Sequence, residues 1–316
     1  MAFLRNAART ALMMLPALPA WAEPLTVTDI PPVASLVSMV SGSEAVVLLP
    51  PGTSAHTFSL KPSQARSLSQ AALVVWIGPE LTPALDRQIR ALAPDAGTIA
   101  LAHLEASLRL PFREGGLMPH DDHAEHGNEH ADDHDAEEDS HANKADAFDP
   151  HLWLDPKNAT LWLEAIAQAL SDLDPDNAAR YRANALTGAA AIATATEEAR
   201  ARLTPLEGRT IAVSHDAFQY FEHAFGLNVT AALSDGDDAA PGAARVAALR
   251  DRLAEQHPAC ILTEPGTDAA LLASVAPETI PRAEIDVMGG TLPQGPALYP
   301  GLIADIAQRI ADCADQ

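Results

Sequence analysis

The chain has 316 residues, with 43 acidic side chains against 20 Lys and Arg, for a formal net charge of −23. That excess argues against nucleic acid or an anionic membrane as a partner and favours cations. The length is more than one hydrophobic core comfortably fills, so two lobes are expected.

At the amino end, Arg5 and Arg9 accompany a short apolar run from Ala11 to Leu18, and Ala20-Trp21-Ala22 fits the small-x-small cleavage rule. Residues 1–22 therefore read as a secretory signal cleaved after Ala22. The alternative is a buried N-terminal helix, which Pro16, Pro19 and the missing polar face disfavour. No other stretch has the ~18 uninterrupted apolar residues that a membrane span needs, so the exported chain is expected to be soluble.

Strands are predicted at Leu25 to Thr28, Ala45 to Leu49, Ala72 to Ile77 and Thr98 to Leu101. Between them Pro32 to Val40, Pro62 to Gln70 and Pro83 to Leu92 have helical spacing, each with a proline near its start, where one is tolerated. Strands apolar on both faces and separated by helices imply a parallel sheet covered on both sides. A His/acid-rich segment, residues 118–148, interrupts this first lobe, which spans residues 23–174.

A helix is predicted from Pro156 to Leu170. Pro175 to Leu203 is Ala-rich, holds one glycine, Gly188, and has no internal proline. It predicts one long helix of about 40 Å, so residues 175–204 are assigned as the link between lobes. Residues 205–316 repeat the alternation. Strands are expected at Thr210 to Val213, Asn228 to Ala232, Cys260 to Thr263 and Ala283 to Ile285. Helices are expected at Ala217 to Ala224, Gly242 to Gln256, Asp268 to Val275 and Tyr299 to Cys313. The fold class is thus α/β: two lobes, each a parallel sheet flanked by helices, joined by one long helix.

Six of the twelve histidines, His120, His123, His126, His130, His134 and His141, lie among ten acidic residues. With almost nothing apolar to bury, this stretch should be a solvated loop. Imidazoles and carboxylates bind borderline cations such as zinc, so a weak metal-collecting role is expected. The plain alternative is a solvated spacer.

A different set of residues stands beside strand ends, where open parallel sheets bind ligands. His56 follows the strand ending at Leu49, His215 follows Ile211-Ala-Val-Ser, and Asp286 ends Ala283-Glu-Ile-Asp. His151 is held between Pro150 and Leu-Trp-Leu. Two fall in each lobe, so an ion held by all four would sit in the cleft. Three neutral imidazoles and one carboxylate form a plausible tetrahedral zinc shell. Trp153 and Trp162 read as core, and His103, His223 and His257 as surface or packing residues. Glu264 either orients a ligand histidine from behind or caps the helix that follows it.

The two cysteines, Cys260 and Cys313, are far apart, and in an oxidising compartment such a pair reads as a disulfide tying the terminal helix to the last lobe. A two-cysteine metal site is the rival, though neither residue lies in a C-x-x-C cluster.

The mature chain as a whole resembles the metal-binding extracytoplasmic proteins of zinc and manganese ABC importers, and their periplasmic zinc-binding branch most closely. The resemblance rests on Pro51-Gly-Thr-Ser-Ala-His56-Thr-Phe-Ser-Leu-Lys-Pro-Ser, Asp149-Pro-His151-Leu-Trp-Leu-Asp-Pro, Ser214-His215-Asp-Ala-Phe-Gln-Tyr-Phe, Thr263-Glu264-Pro and Ile285-Asp286. The His/acid-rich loop also sits where zinc-specific members carry theirs. It implies a periplasmic, monomeric binding protein with metal in the cleft, limited hinge movement and a terminal disulfide. Its partners would be a membrane permease, with a metal chaperone as a further candidate, its cargo Zn2+, and it would not be an enzyme. Manganese members tend to carry a carboxylate at the position matching His215, so histidine there favours zinc. Some zinc members have a glutamate before the first histidine where this chain has Ala55, which leaves the fourth ligand as Asp286 or a water, with Asp286 preferred.

Three rivals remain. Manganese or iron transport is the alternative within the family. A secreted zinc hydrolase is another, against which stand the lack of H-E-x-x-H and G-x-S-x-G motifs and a shell that four protein ligands would close. A buffer working only through the loop would make His56, His151 and His215 dispensable.

Overall fold

The computed structural model describes residues 24–49, 55, 58–113, 147–234 and 243–316. The expected signal, His56 and the six loop histidines lie outside the described residues.

The first sheet is built from β1 (Thr26–Thr28), β2 (Val46–Val47), β3 (Leu73–Trp76) and β4 (Gly97–Ala100), all parallel in the order β2-β1-β3-β4. The second uses β5 (Thr210–His215), β6 (Asn228–Ser234), β7 (Ile261–Thr263) and β8 (Arg282–Glu284), parallel in the matching order β6-β5-β7-β8. All four residues of β3 are buried, as expected of a strand covered by helices on both faces. The first-lobe strands are shorter than or shifted from their apolar runs, whereas β5 runs on past its run to include His215.

The helices are α1 (Pro31–Ser41), α2 (Pro62–Ser69), α3 (Pro83–Leu92), α4 (Pro156–Leu173), α5 (Ala178–Leu203), α6 (Gln219–Phe225), α7 (Ala243–Gln256), α8 (Ala269–Val275) and α9 (Leu298–Ala314). The first four carry proline in their opening turn, where no intrahelical N–H bond is lost. Asp155 caps α4 by accepting from Lys157 N at 2.8 Å. The helix expected from Pro175 starts as a 3-10 turn, Pro175–Asn177, and continues as α5, ~39 Å long. A Cβ at Gly188 would come within 3.1 Å of Leu163 Cδ1 and 3.3 Å of Met39 Sδ. Glycine there lets α1 and α4 press against the long helix.

The last helix does not stay with its own sheet. α9 packs along α5 and reaches α1 in the first lobe. Ser35 Oγ donates to Gly295 O (2.8 Å) and accepts from Tyr299 N (2.9 Å), and Tyr299 Oη donates to Trp153 O (2.7 Å). One apolar core therefore runs through both lobes, from Val27 and Trp153 to Ile211 and Ile303. A smaller one lies under α7 and α8, around Leu249, Leu253 and Leu272. Cys260 and Cys313 are bonded, with Cα atoms 5.7 Å apart, joining α9 to the start of β7. Among the described residues no helix is long and apolar enough to cross a membrane.

Candidate metal centre

The strand order β6-β5-β7-β8 sends successive connections to opposite sides of β5, so a crevice opens between the carboxyl ends of β5 and β7. His215 is the last residue of β5 and Glu264 is the first after β7. His215 Nδ1 lies 3.5 Å from Glu264 Oε2, while Glu264 Oε1 is buried with no hydrogen bond among the described residues. Helix α8, which follows, is capped by Asp268, whose carboxylate accepts from Ala270 N and Leu271 N. Glu264 is therefore not the cap.

His151 arrives from the other lobe. Its backbone N–H donates to Asp149 Oδ1 at 2.9 Å and its ring Nδ1 meets the same oxygen at 2.7 Å. The turn is buried, and Asp149 is fixed in place: its N–H donates to Leu110 O, and its carbonyl accepts from Tyr220 Oη at 2.9 Å. Burial holds the Tyr220 phenol above its ordinary value, so it stays a donor. Two residues on, Trp153 Nε1 donates across the lobes to Val287 O at 2.9 Å.

These two turns bring the rings of His151 and His215 edge to face, with centroids 5.1 Å apart. Each Nδ1 faces a carboxylate, and an Nδ1–H donating to that carboxylate would leave Nε2 as the nitrogen suited to coordination. Asp286 stands just past β8, with Oδ1 accepting from Met288 N (2.9 Å) and Oδ2 from Gly290 N (2.7 Å). Among the described residues no three His, Cys, Asp or Glu side chains converge closely enough to hold an ion by themselves. The structure thus brings together His151 and His215, and sets Asp286 at the expected strand end without joining it to them.

The other histidines make different contacts. His103 Nε2 pairs with Glu80 at 3.0 Å, His223 Nδ1 is 3.7 Å from Asp155 Oδ2, and His257 takes a positive φ of 45° just after α7. Trp153 and Trp162 are fully buried.

Arg113 was not legible as a site residue. Its Nε donates to both oxygens of Asp216 at 3.1 Å, and its Nη2 donates to Glu222. Burial alone would lower the guanidinium, but the Glu222 and Asp216 carboxylates outweigh it and hold Arg113 above its ordinary value. The sequence carried one signal, since Arg113 is the last base before the acidic stretch, the next being Lys144.

Residues 26–313 match the model of a family described as zinc-uptake complex component A, periplasmic. The chain is similar to the high-affinity zinc uptake system protein ZnuA of Paracoccus denitrificans, with 42% identity over 94% of each chain. It is similar to the protein of the same description from Brucella abortus, with 34% identity over 91% of this chain and 90% of that one. A crystal structure of ZnuA, 22% identical, superposes with a TM-score of 0.71 over 92% of this chain and 99% of that one, and shares its fold. The chain therefore belongs to the periplasmic zinc-uptake component A family.

Proposed function

We propose that the chain captures zinc in the periplasm and delivers it to the membrane permease of an ABC importer. The observation that carries this reading is the meeting of His151 and His215, one from each lobe, with their rings 5.1 Å apart. The family and the names of the relatives support it. In this reading His56, His151 and His215 supply three nitrogens to the ion, and Asp286 or a water completes the shell. Asp149 and Glu264 orient the rings from behind. Nitrogen-rich coordination favours zinc over manganese, a harder cation that suits oxygen donors. The role is binding and transfer rather than catalysis. Residues 1–22 serve as a signal, 23–174 and 205–316 as the lobes and 175–204 as the link.

The histidines from His120 to His141 act as a weak collector that raises the local zinc concentration. Deleting residues 120–141 should lower the number of bound ions while leaving the tight affinity nearly unchanged. The decisive experiment is zinc titration of His215→Ala by calorimetry. The tight phase should vanish and the weak phases persist; an unchanged tight phase overturns the assignment. Ligand imidazoles must be neutral to bind, so affinity should fall on acidification.

A further inference from the structure

We propose that Arg113 is a positioning residue for the cleft: its guanidinium spans the lobes and holds the turn that carries His215 against the turn that carries His151. The proposal rests on the zinc-binding reading above and names a residue that sets how firmly that site keeps its ion.

The geometry is a closed circuit of contacts. Arg113 leaves the first lobe two residues after Pro111, which pairs with Phe148 in an isolated antiparallel bridge. Phe148 adjoins Asp149, the carboxylate that orients His151. The guanidinium reaches across to Asp216, the neighbour of His215, and to Glu222 on α6. Glu222 Oε1 in turn accepts from Val229 N at 3.0 Å, so the contact is tied into β6. Tyr220 closes the circuit, accepting from Leu110 N at 2.9 Å and donating to Asp149 O, with Gln219 Nε2 donating to Pro111 O at 3.0 Å.

The charges make Arg113 the decisive member. Asp216 feels the charges of both Asp149 and Glu222, and Arg113 pairs with Asp216 and Glu222. Arg113, Asp216 and Glu222 are mostly buried, at 19%, 15% and 17% exposure, so water screens the repulsion between the two carboxylates poorly. Without the guanidinium, Asp216 and Glu222 would repel each other, and the turn bearing His215 would lose its hold on the first lobe. Two imidazoles that must meet one ion would then spend less time in register, and the ion would leave faster.

The test compares the full mature chain with Arg113→Met, Arg113→Lys and, as an exposed control, Arg90→Met. Zinc is released into excess chelator in a stopped-flow instrument, and the melting of the zinc-free protein is followed separately. Release from the tight site should quicken about 10-fold in Arg113→Met, equivalent to ~1.4 kcal/mol. Arg113→Lys should recover part of it, and Arg90→Met should match wild type. If Arg113→Met releases zinc at the wild-type rate, whatever its melting temperature, the proposal is overturned. Should that variant not fold, Asp216→Ala removes one contact while sparing Glu222; a smaller acceleration supports the proposal and a wild-type rate overturns it. A wild-type protein lacking any tight phase would instead defeat the zinc-binding reading itself.

Discussion

The two sheets share one strand order, yet they use equivalent positions for different ends. Pairing of Thr28 with Val75 in the first and of Val213 with Leu262 in the second makes Asp29 the counterpart of Ser214. Each side chain accepts the N–H of the residue just after the third strand: Asp29 Oδ2 from Ile77 at 2.8 Å, and Ser214 Oγ from Glu264 at 3.2 Å. After that clamp the lobes diverge. Ile30 is fully buried and α1 begins at once with Pro31, whereas His215 is followed by three residues before α6 starts at Gln219. The delay gives the second lobe an open turn at the carboxyl end of its sheet, with His215 at its start. One frame thus continues as buried core in one lobe and as an open turn in the other.

The largest expected effect comes from the bond that joins α9 to the second sheet. Replacing Cys260 and Cys313 together by serine removes a cross-link with a sequence separation of 53 and should cost about 4 kcal/mol in urea unfolding. Because α9 also packs against α1, both lobes should unfold earlier; an unchanged first lobe would break the single-core description.

Next comes Asp29→Ala, which strips the buried N–H groups of Ile30 and Ile77 of their acceptor and should cost roughly 3 kcal/mol. Ser214→Ala removes one longer, neutral contact and should cost only about 1 kcal/mol. Equal losses at the two positions would contradict the difference drawn between them.

The pH dependence sharpens the same contrast. Burial, only partly offset by the N–H groups of Ile77 and Ile30, pushes the Asp29 carboxyl from 3.8 up to about 7. Between those values the folded chain keeps a proton that the unfolded chain has released. This group's contribution is therefore fully present below about pH 4 and lost as the pH rises through 7. Asp29→Asn should gain on wild type steadily across that window. A stability difference that stays flat from pH 4 to 8 would show that the carboxylate is ionised throughout.

Much of the architecture was legible because its signals are local. Pro62 and Pro83 mark helix starts through their missing N–H, and the run from Ala72 to Ile77 betrays a strand buried on both faces, observed at Leu73–Trp76. His151 and His215 stood out by their place beside strand ends and ordered turns. Asp29 did not, because nothing nearby in the chain reveals that Ile77, 48 residues on, needs its carboxylate. Arg113 escaped for the same reason, since its partners Asp216 and Glu222 lie more than 100 residues away. The reach of α9 into the first lobe was likewise invisible, because an apolar helix face does not say which surface will cover it.

That reach bears on the order of events at the ribosome. Helix α1 is made early, but Ser35 finds Gly295 and Tyr299 only after some 260 further residues have emerged. The half of the molecule synthesised first must wait for nearly the whole polypeptide before it can finish folding.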